Sequence, residues 1–353
     1  MSAACPIHFV GSVPLQSLEE VLTTISRVHG SRVSRLPDGE LSAKQGYVSN
    51  QRATFERLRH FQFAGHRSDW RKAQHQIEQF ALKAIDDVPT VEEIGELGHA
   101  RWAVEAYHVF AALKSRGLVH ADARLKIALP SAYGVLSYFV EARSVPALMP
   151  VFAEALGREI IRLGQQIPHD ELAVQIDASM EFEALASGDS RFSPITADKA
   201  AGWLARQGER LDTDIQLGLH CCYGNLNLKH YVEPKDTADM VAVTNALITV
   251  LGRPLHFVHM PVPIGRSDDA YFEPLKDLRL GEDAELFLGL VHDADGVGGA
   301  ELRAMAARRA YPRFGVATEC GLNHRPRENV LNIIELLREV SDCRAAELPR
   351  FYK

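Results

Sequence analysis

The feature that most constrains the fold of this 353-residue chain is a repeated switch in hydrophobic period. Eight short apolar runs, at 7–10, 32–36, 125–129, 172–176, 215–219, 255–258, 286–291 and 314–318, read as strands. They are separated by stretches with the 3.6-residue period of helices. The first helix has Ser17 as N-cap ahead of Leu18-Glu19-Glu20 and stops at Gly30. Further helices are expected at 135–141, 147–163, 196–207, 236–251, 300–310 and 328–340. Near-strict strand–helix alternation implies a parallel sheet covered by helices. Eight such units suggest an α/β fold of the closed (β/α)8 TIM-barrel type, with residues 1–353 as one domain. A doubly wound open sheet satisfies the same periodicity.

The alternation is interrupted once, between the second and third strands. Residues 41–123 are rich in His, Gln, Arg and aromatics, and the clearest amphipathic pattern lies at 98–114. So long a stretch is not a plain loop, and a mainly helical insertion or lid is expected. Trp70, Trp102, Tyr107 and Phe110 would either line that lid or pack a helix against the body.

Composition excludes several classes. Net charge is −7, and no block of Lys and Arg supports nucleic-acid binding. No run approaches the ~18 apolar residues of a membrane span. The N-terminus has no basic stretch leading into an apolar one, so a signal peptide is not expected. Five cysteines are too few and too scattered for a disulfide framework, which points to a reducing, cytoplasmic setting. A homodimer is the base-rate expectation.

In a barrel of this kind chemistry collects at the C-terminal ends of the strands. Here those ends carry Ser12; Asp38 and Glu40; Ser131; Asp177 and Glu181; His220 and Cys222; His259; His292, Asp293 and Asp295; and Glu319 and Cys320. In an extended chain residues i and i+2 point the same way, so His220 and Cys222 can grip one ion while Cys221 faces the helices. Thiolate and imidazole suit zinc. Cys320 supplies a third soft ligand, and His259 is a fourth ligand or a near neighbour. Ligands spread over separate strand ends differ from the tight Cys-x-x-Cys pairs of structural zinc modules.

These residues resemble the catalytic domain of the cobalamin-independent methionine synthases. His220-Cys221-Cys222-Tyr223 is similar to that family's His-x-Cys-Tyr zinc motif, and Glu319-Cys320-Gly321-Leu322 to its Asp-Cys-Gly-Leu motif. Gln175-Ile176-Asp177 resembles the strand end that carries a substrate-binding aspartate, and Gly11-Ser12-Val13-Pro14 the Gly-Ser-Phe-Pro segment whose serine contacts the amino-acid substrate. The four motifs occur in the same order and span most of the chain. The resemblance implies a TIM barrel, a Zn2+ cofactor and thiol alkylation, as in epoxyalkane:coenzyme M transferase, which is similar in using this barrel alone. The family's zinc glutamate is replaced by His259, and no good match appears for the glutamate that binds the substrate amino group. A counterpart of the duplicated N-terminal half, which helps hold the polyglutamylated folate, is also missing. A divergent single-barrel member acting on another substrate is therefore expected, not folate-dependent methionine synthesis.

The resulting expectation is a zinc-dependent alkyl (methyl) transferase, in which a bound thiol becomes a nucleophilic thiolate. His220, Cys222, Cys320 and His259 form the metal set, and His292 or Asp293 the general acid. Ser12, Arg35, Asp38, Glu40, Asp177, Glu181 and Tyr223 are candidate substrate contacts, and the acids could equally form ion pairs, with Arg35 and Arg266 within the choice of partners. Partners are a small-molecule substrate and a thiol co-substrate. The competing readings are a zinc hydrolase or lyase using metal-activated water, and a metal-sensing or scaffold protein on a degenerate barrel.

Overall fold

A computed structural model describes residues 5–41, 48–68, 76–188, 193–224, 229–323 and 325–345. In chain order the elements are β1 (Ile7–His8), α1 (Leu18–His29), β2 (Arg35–Pro37), α2 (Arg52–Arg57), β3 (Phe61–Ser68), β4 (Gln76–Leu82), α3 (Val91–Ile94) and α4 (His99–Ser115). There follow β5 (Arg124–Pro130), α5 (Ala132–Phe139), α6 (Val145–Gln166), β6 (Leu172–Ala178), α7 (Met180–Ser187), α8 (Ala197–Gly208) and β7 (Gln216–Cys221). The chain continues through α9 (Ala238–Val250), β8 (Phe257–Pro261), α10 (Asp269–Phe272), β9 (Glu285–Val291), α11 (Gly296–Ala310), β10 (Gly315–Thr318) and α12 (Arg327–Ala345).

Eight parallel strands form one sheet in the order β1-β10-β9-β8-β7-β6-β5-β2. A single parallel bridge between Ser12 and Gly39, just beyond β1 and β2, brings the two edges together and nearly closes the barrel. Helices cover the outside because alternate strand residues face them: Leu125, Ile127 and Leu129 of β5, and Leu217, Leu219 and Cys221 of β7, belong to the main apolar core. Ser17 caps α1 as its sequence requires, accepting from Glu20 N.

The barrel interior is layered and polar at both ends. At the bottom Arg35 crosses from β2 to donate to Gln216 Oε1 (2.6 Å) and Glu285 Oε2 (2.6 Å), with its guanidinium over the Phe257 ring. A dry layer of Ala173, Phe257, Phe287 and Ala317 follows. Gly218 belongs to that layer by necessity: a Cβ there would lie 2.1 Å from the Phe257 ring. Above it His8, Lys126 and Gln175 interlock, with Gln175 Oε1 2.9 Å from His8 Nε2 and 3.0 Å from Lys126 Nζ.

This placement corrects one expectation. Arg35 is expected at the barrel mouth, as a substrate contact or an ion-pair partner, but it opens its strand instead of closing it, and its ion pair is with Glu285. A 3-10 turn occupies Gly30–Arg32, so β2 starts three residues later than the apolar run suggests. Arg35 therefore lies at the end of the barrel opposite the strand C-termini.

The stretch between β2 and β5 contains α2, α3 and α4, and in addition an antiparallel hairpin, β3–β4, that the periodicity did not reveal. Phe55, Phe61, Phe80, Phe139 and Phe152 join this insertion to α5 and α6 as a second apolar core. Phe80 also bridges Val140. Helix α4 instead packs on α1, α6 and β5 in the barrel's helical layer. Its aromatics accordingly pack the helix instead of lining a lid: Phe110 is fully buried and Tyr107 donates to Glu171 Oε2 at 2.7 Å. Trp70 lies outside the described residues.

Candidate metal centre

Strand β7 delivers the first two ligands. His220 points into the barrel, opposite Asp177 of β6 and His259 of β8 in register. Cys222 N still donates to Ala178 O (2.9 Å), which carries the ladder one residue beyond the strand. Cys320 follows β10, whose register shifts between Val316 and Thr318. The three ligand atoms lie within 4.8 Å of one another. Cys320 Sγ is 3.7 Å from Cys222 Sγ and 3.7 Å from His220 Nε2. Tetrahedral zinc with ordinary bond lengths needs sulfurs about 3.8 Å apart and sulfur and nitrogen about 3.6 Å apart. The donor set thus fits zinc in kind and in spacing, and three protein ligands leave a fourth position open.

Burial sets the electrostatics. It holds the His220 imidazole well below its usual pKa, assisted by His259 and Lys126, so the ring is a neutral donor. Cys320 is pushed well above the ordinary thiol value, chiefly by its hydrogen bond with Cys222 and then by burial. A cation held between the two sulfurs would reverse that preference at Cys320.

His259 is not placed as a ligand. Its Nδ1 lies 2.8 Å from His220 Nδ1 and its Nε2 3.0 Å from the Thr318 carbonyl oxygen, so both ring nitrogens are engaged behind the site. Of the two expectations for His259, fourth ligand or near neighbour, this geometry favours the neighbour.

The rim gathers most of the other predicted residues. Ser12 is locked to the loop after Cys320: its carbonyl accepts from Leu322 N (2.7 Å) and its Oγ from Asn323 N (3.1 Å). The contact requires glycine at 321, where a Cβ would lie 2.3 Å from Ser12 Oγ. The Gly-Ser and Cys-Gly motifs thus meet in space. Asp38 follows β2, its amide donating to Lys126 O (3.2 Å). Glu40 has φ 51, and no other non-glycine residue among those described has a positive φ. Such a backbone costs about 1–2 kcal/mol, a cost the surroundings of Glu40 must offset. Asp177 Oδ1 accepts from Gln175 Nε2 at 2.8 Å.

Other assignments change character. Tyr223 is buried in the core beside Phe182, and its carbonyl, not its ring, does the local work by accepting from Tyr231 N. Glu181 is buried with the Ser131 hydroxyl as side-chain partner, Oε2 has no partner, and burial pushes its carboxyl up to about 7. Asp293 turns outward to Arg325 at 3.5 Å, and Arg266 pairs with Asp268. His292 stays at the rim, its Nε2 2.9 Å from Val262 O and its Nδ1 3.9 Å from Glu319 Oε2.

The sequence reading gave no role to Glu319 and passed over His230. His230 Nε2 sits 2.9 Å from Glu319 Oε1 as an ion-pair contact, and its Nδ1 is 3.2 Å from Glu233 Oε2. The available signal was a histidine in the same strand–helix loop as the His-x-Cys pair.

A B12-independent methionine synthase from Shewanella sp. W3-18-1, solved in complex with selenomethionine, superposes with a TM-score of 0.62 at 15% identity, the match covering 98% of this chain and 99% of that one. The fold is that of the B12-independent methionine synthases. A putative vitamin-B12 independent methionine synthase from Listeria monocytogenes gives a TM-score of 0.57 at 12% identity over 97% and 99% of the two chains. A methyltransferase from Methanosarcina mazei gives 0.50 at 13% identity over 99% and 95%. No family model and no curated protein matches the sequence. On this methionine synthase-like barrel the His220, Cys222 and Cys320 trio occupies the strand C-terminal face, and Arg35 the opposite one. No helix among the described residues is long and apolar enough to cross a membrane.

Proposed function

We propose that this chain is a zinc-dependent alkyl transferase of the methyl-transfer type, acting on a small-molecule donor and a thiol acceptor. The observation that carries the reading is the His220, Cys222 and Cys320 trio, set at zinc-ligand spacing with a coordination position to spare. The methionine synthase and methyltransferase titles of the fold's neighbours support it. Zinc held there would lower the pKa of an incoming thiol, making it nucleophilic at neutral pH. In the transfer a sulfur–carbon bond forms as the bond from that carbon to its leaving group breaks.

This chain's residues would supply orientation and proton movement. Asp177, Asp38 and Glu40 give the mouth acceptors for a hydroxylated or cationic substrate, and Ser12 fixes the Cys320 loop against β1. His292, whose Nε2 is taken by Val262 O, has Nδ1 available to pass a proton at the rim. The neighbour solved with selenomethionine favours an acceptor or product of amino-acid size.

The test is metal content by mass spectrometry of the purified protein, with a panel of thiols and alkyl donors. Wild type is expected to hold a single zinc and to make S-alkyl product only when thiol is present. Cys222→Ser and Cys320→Ser are expected to lose the metal and at least about 100-fold in turnover. Retention of zinc by both variants, or turnover without thiol, overturns the proposal.

A further inference from the structure

The two histidines behind the metal centre carry an inference beyond the ligand set, one that rests on the zinc reading for its consequence but not for its geometry. A backbone carbonyl can only accept, so His259 Nε2, 3.0 Å from Thr318 O, carries a hydrogen. A neutral imidazole holds one ring hydrogen, so His259 Nδ1 is then a bare acceptor. His220 Nδ1 lies 2.8 Å from it, a separation that requires one donor and one acceptor. The hydrogen must belong to His220. That leaves His220 Nε2 with a free lone pair, and this is the atom 3.7 Å from Cys320 Sγ.

We infer that His259 is a positioning residue: it transmits the Thr318 carbonyl through its own ring and locks His220 in the tautomer that presents Nε2 to the metal. The anchor is well chosen. Thr318 lies two residues before Cys320, and its hydroxyl donates to the Cys320 carbonyl at 2.7 Å, so one turn of chain sets both the imidazole and the thiol. The relay ring is held from below by His8, stacked at 5.8 Å between centroids with 25° between planes. Full burial, with only a carbonyl and a second imidazole against its nitrogens, disfavours charge on the ring, as the relay requires. Metal-bound histidines elsewhere are commonly oriented by a carboxylate or carbonyl. Here a second imidazole stands in between, so no added negative charge reaches the site.

The direct test is long-range proton–nitrogen correlation NMR on the full chain with 15N-labelled histidine, in the metal-free protein. His259 is expected as the Nε2–H tautomer and His220 as the Nδ1–H tautomer. Finding the ring hydrogen of His220 on Nε2 overturns the inference whether or not zinc binds. The second test is zinc affinity by chelator competition, with unfolding midpoints as a check on folding. His259→Phe removes the acceptor and is expected to weaken zinc about 10–100-fold. His259→Asn keeps an oxygen near the Nδ1 position and is expected to stay within about 3-fold of wild type. Equal losses in the two variants would reduce His259 to packing and overturn the inference. Failure of the wild type to take zinc while the tautomers are as stated would count against the proposed function alone.

Discussion

At the scale of single side chains, His230 shows how the rim pairs its charges. Burial alone would lower its pKa, but the hydrogen bond to Glu233 and the Glu319 carboxylate overcome that and raise it from 6.5 to about 9. The sign follows directly. A raised histidine pKa means the folded state holds the proton more tightly, so its stabilisation is complete below about 6.5 and is lost as pH rises through about 9. NMR titration of His230 is expected to give a midpoint near 9, and Glu233→Gln is expected to move it down. A midpoint at the free-histidine value would show that the two carboxylates do not act on the ring. His230 was hard to find in the sequence because its partners are 3 and 89 residues away, and only folding brings Glu319 to it.

At the scale of elements, the barrel strands were legible because each is a short apolar run between helical stretches, and some also turn a polar residue inward, as Leu125-Lys126-Ile127 does. The ligand strand ends were legible for the same reason, since period 2 places His220 and Cys222 on one side. The β3–β4 hairpin was not. Its register breaks between Phe63 and His66, which destroys the alternation that would have marked a strand. The amphipathic pattern at 98–114 marked α4 to within a residue, but not what caps it. Its N-cap is Gly98, with no side chain to offer, and the caps come from Glu159 of α6, whose carboxylate accepts from Leu97 N (3.1 Å) and Ala100 N (2.8 Å). Glu159 is buried, so its loss leaves amides unpaired. Glu159→Ala is expected to cost roughly 2–3 kcal/mol in urea unfolding, and Glu159→Gln less. An unchanged midpoint for Glu159→Ala would mean that solvent replaces the cap.

At the scale of the whole molecule, the barrel separates stability from chemistry along its axis. The Arg35, Gln216 and Glu285 cluster seals the bottom, and the candidate metal centre occupies the other end, with the Phe257–Phe287 layer between them. Arg35→Met is expected to lower stability by about 2 kcal/mol, because part-exposed Glu285 can turn to water. Its zinc affinity is expected to match wild type, as measured by chelator competition. A large loss of affinity would mean that the two ends are coupled through the barrel.

If the proposed zinc site is real, the division of its ligands between the ends of β7 and β10 has a consequence for how the protein is made. A ribosome that has finished His220 and Cys222 has released only two thirds of a binding site. The remaining thiol emerges about a hundred residues later on the eighth barrel strand, and the Thr318 carbonyl with it. A nascent chain therefore offers a metal only a weak pair of ligands until synthesis has passed residue 320 and β10 has docked between β9 and β1. Metal capture would then act as an end-of-line check on this protein, recording that the ring has closed.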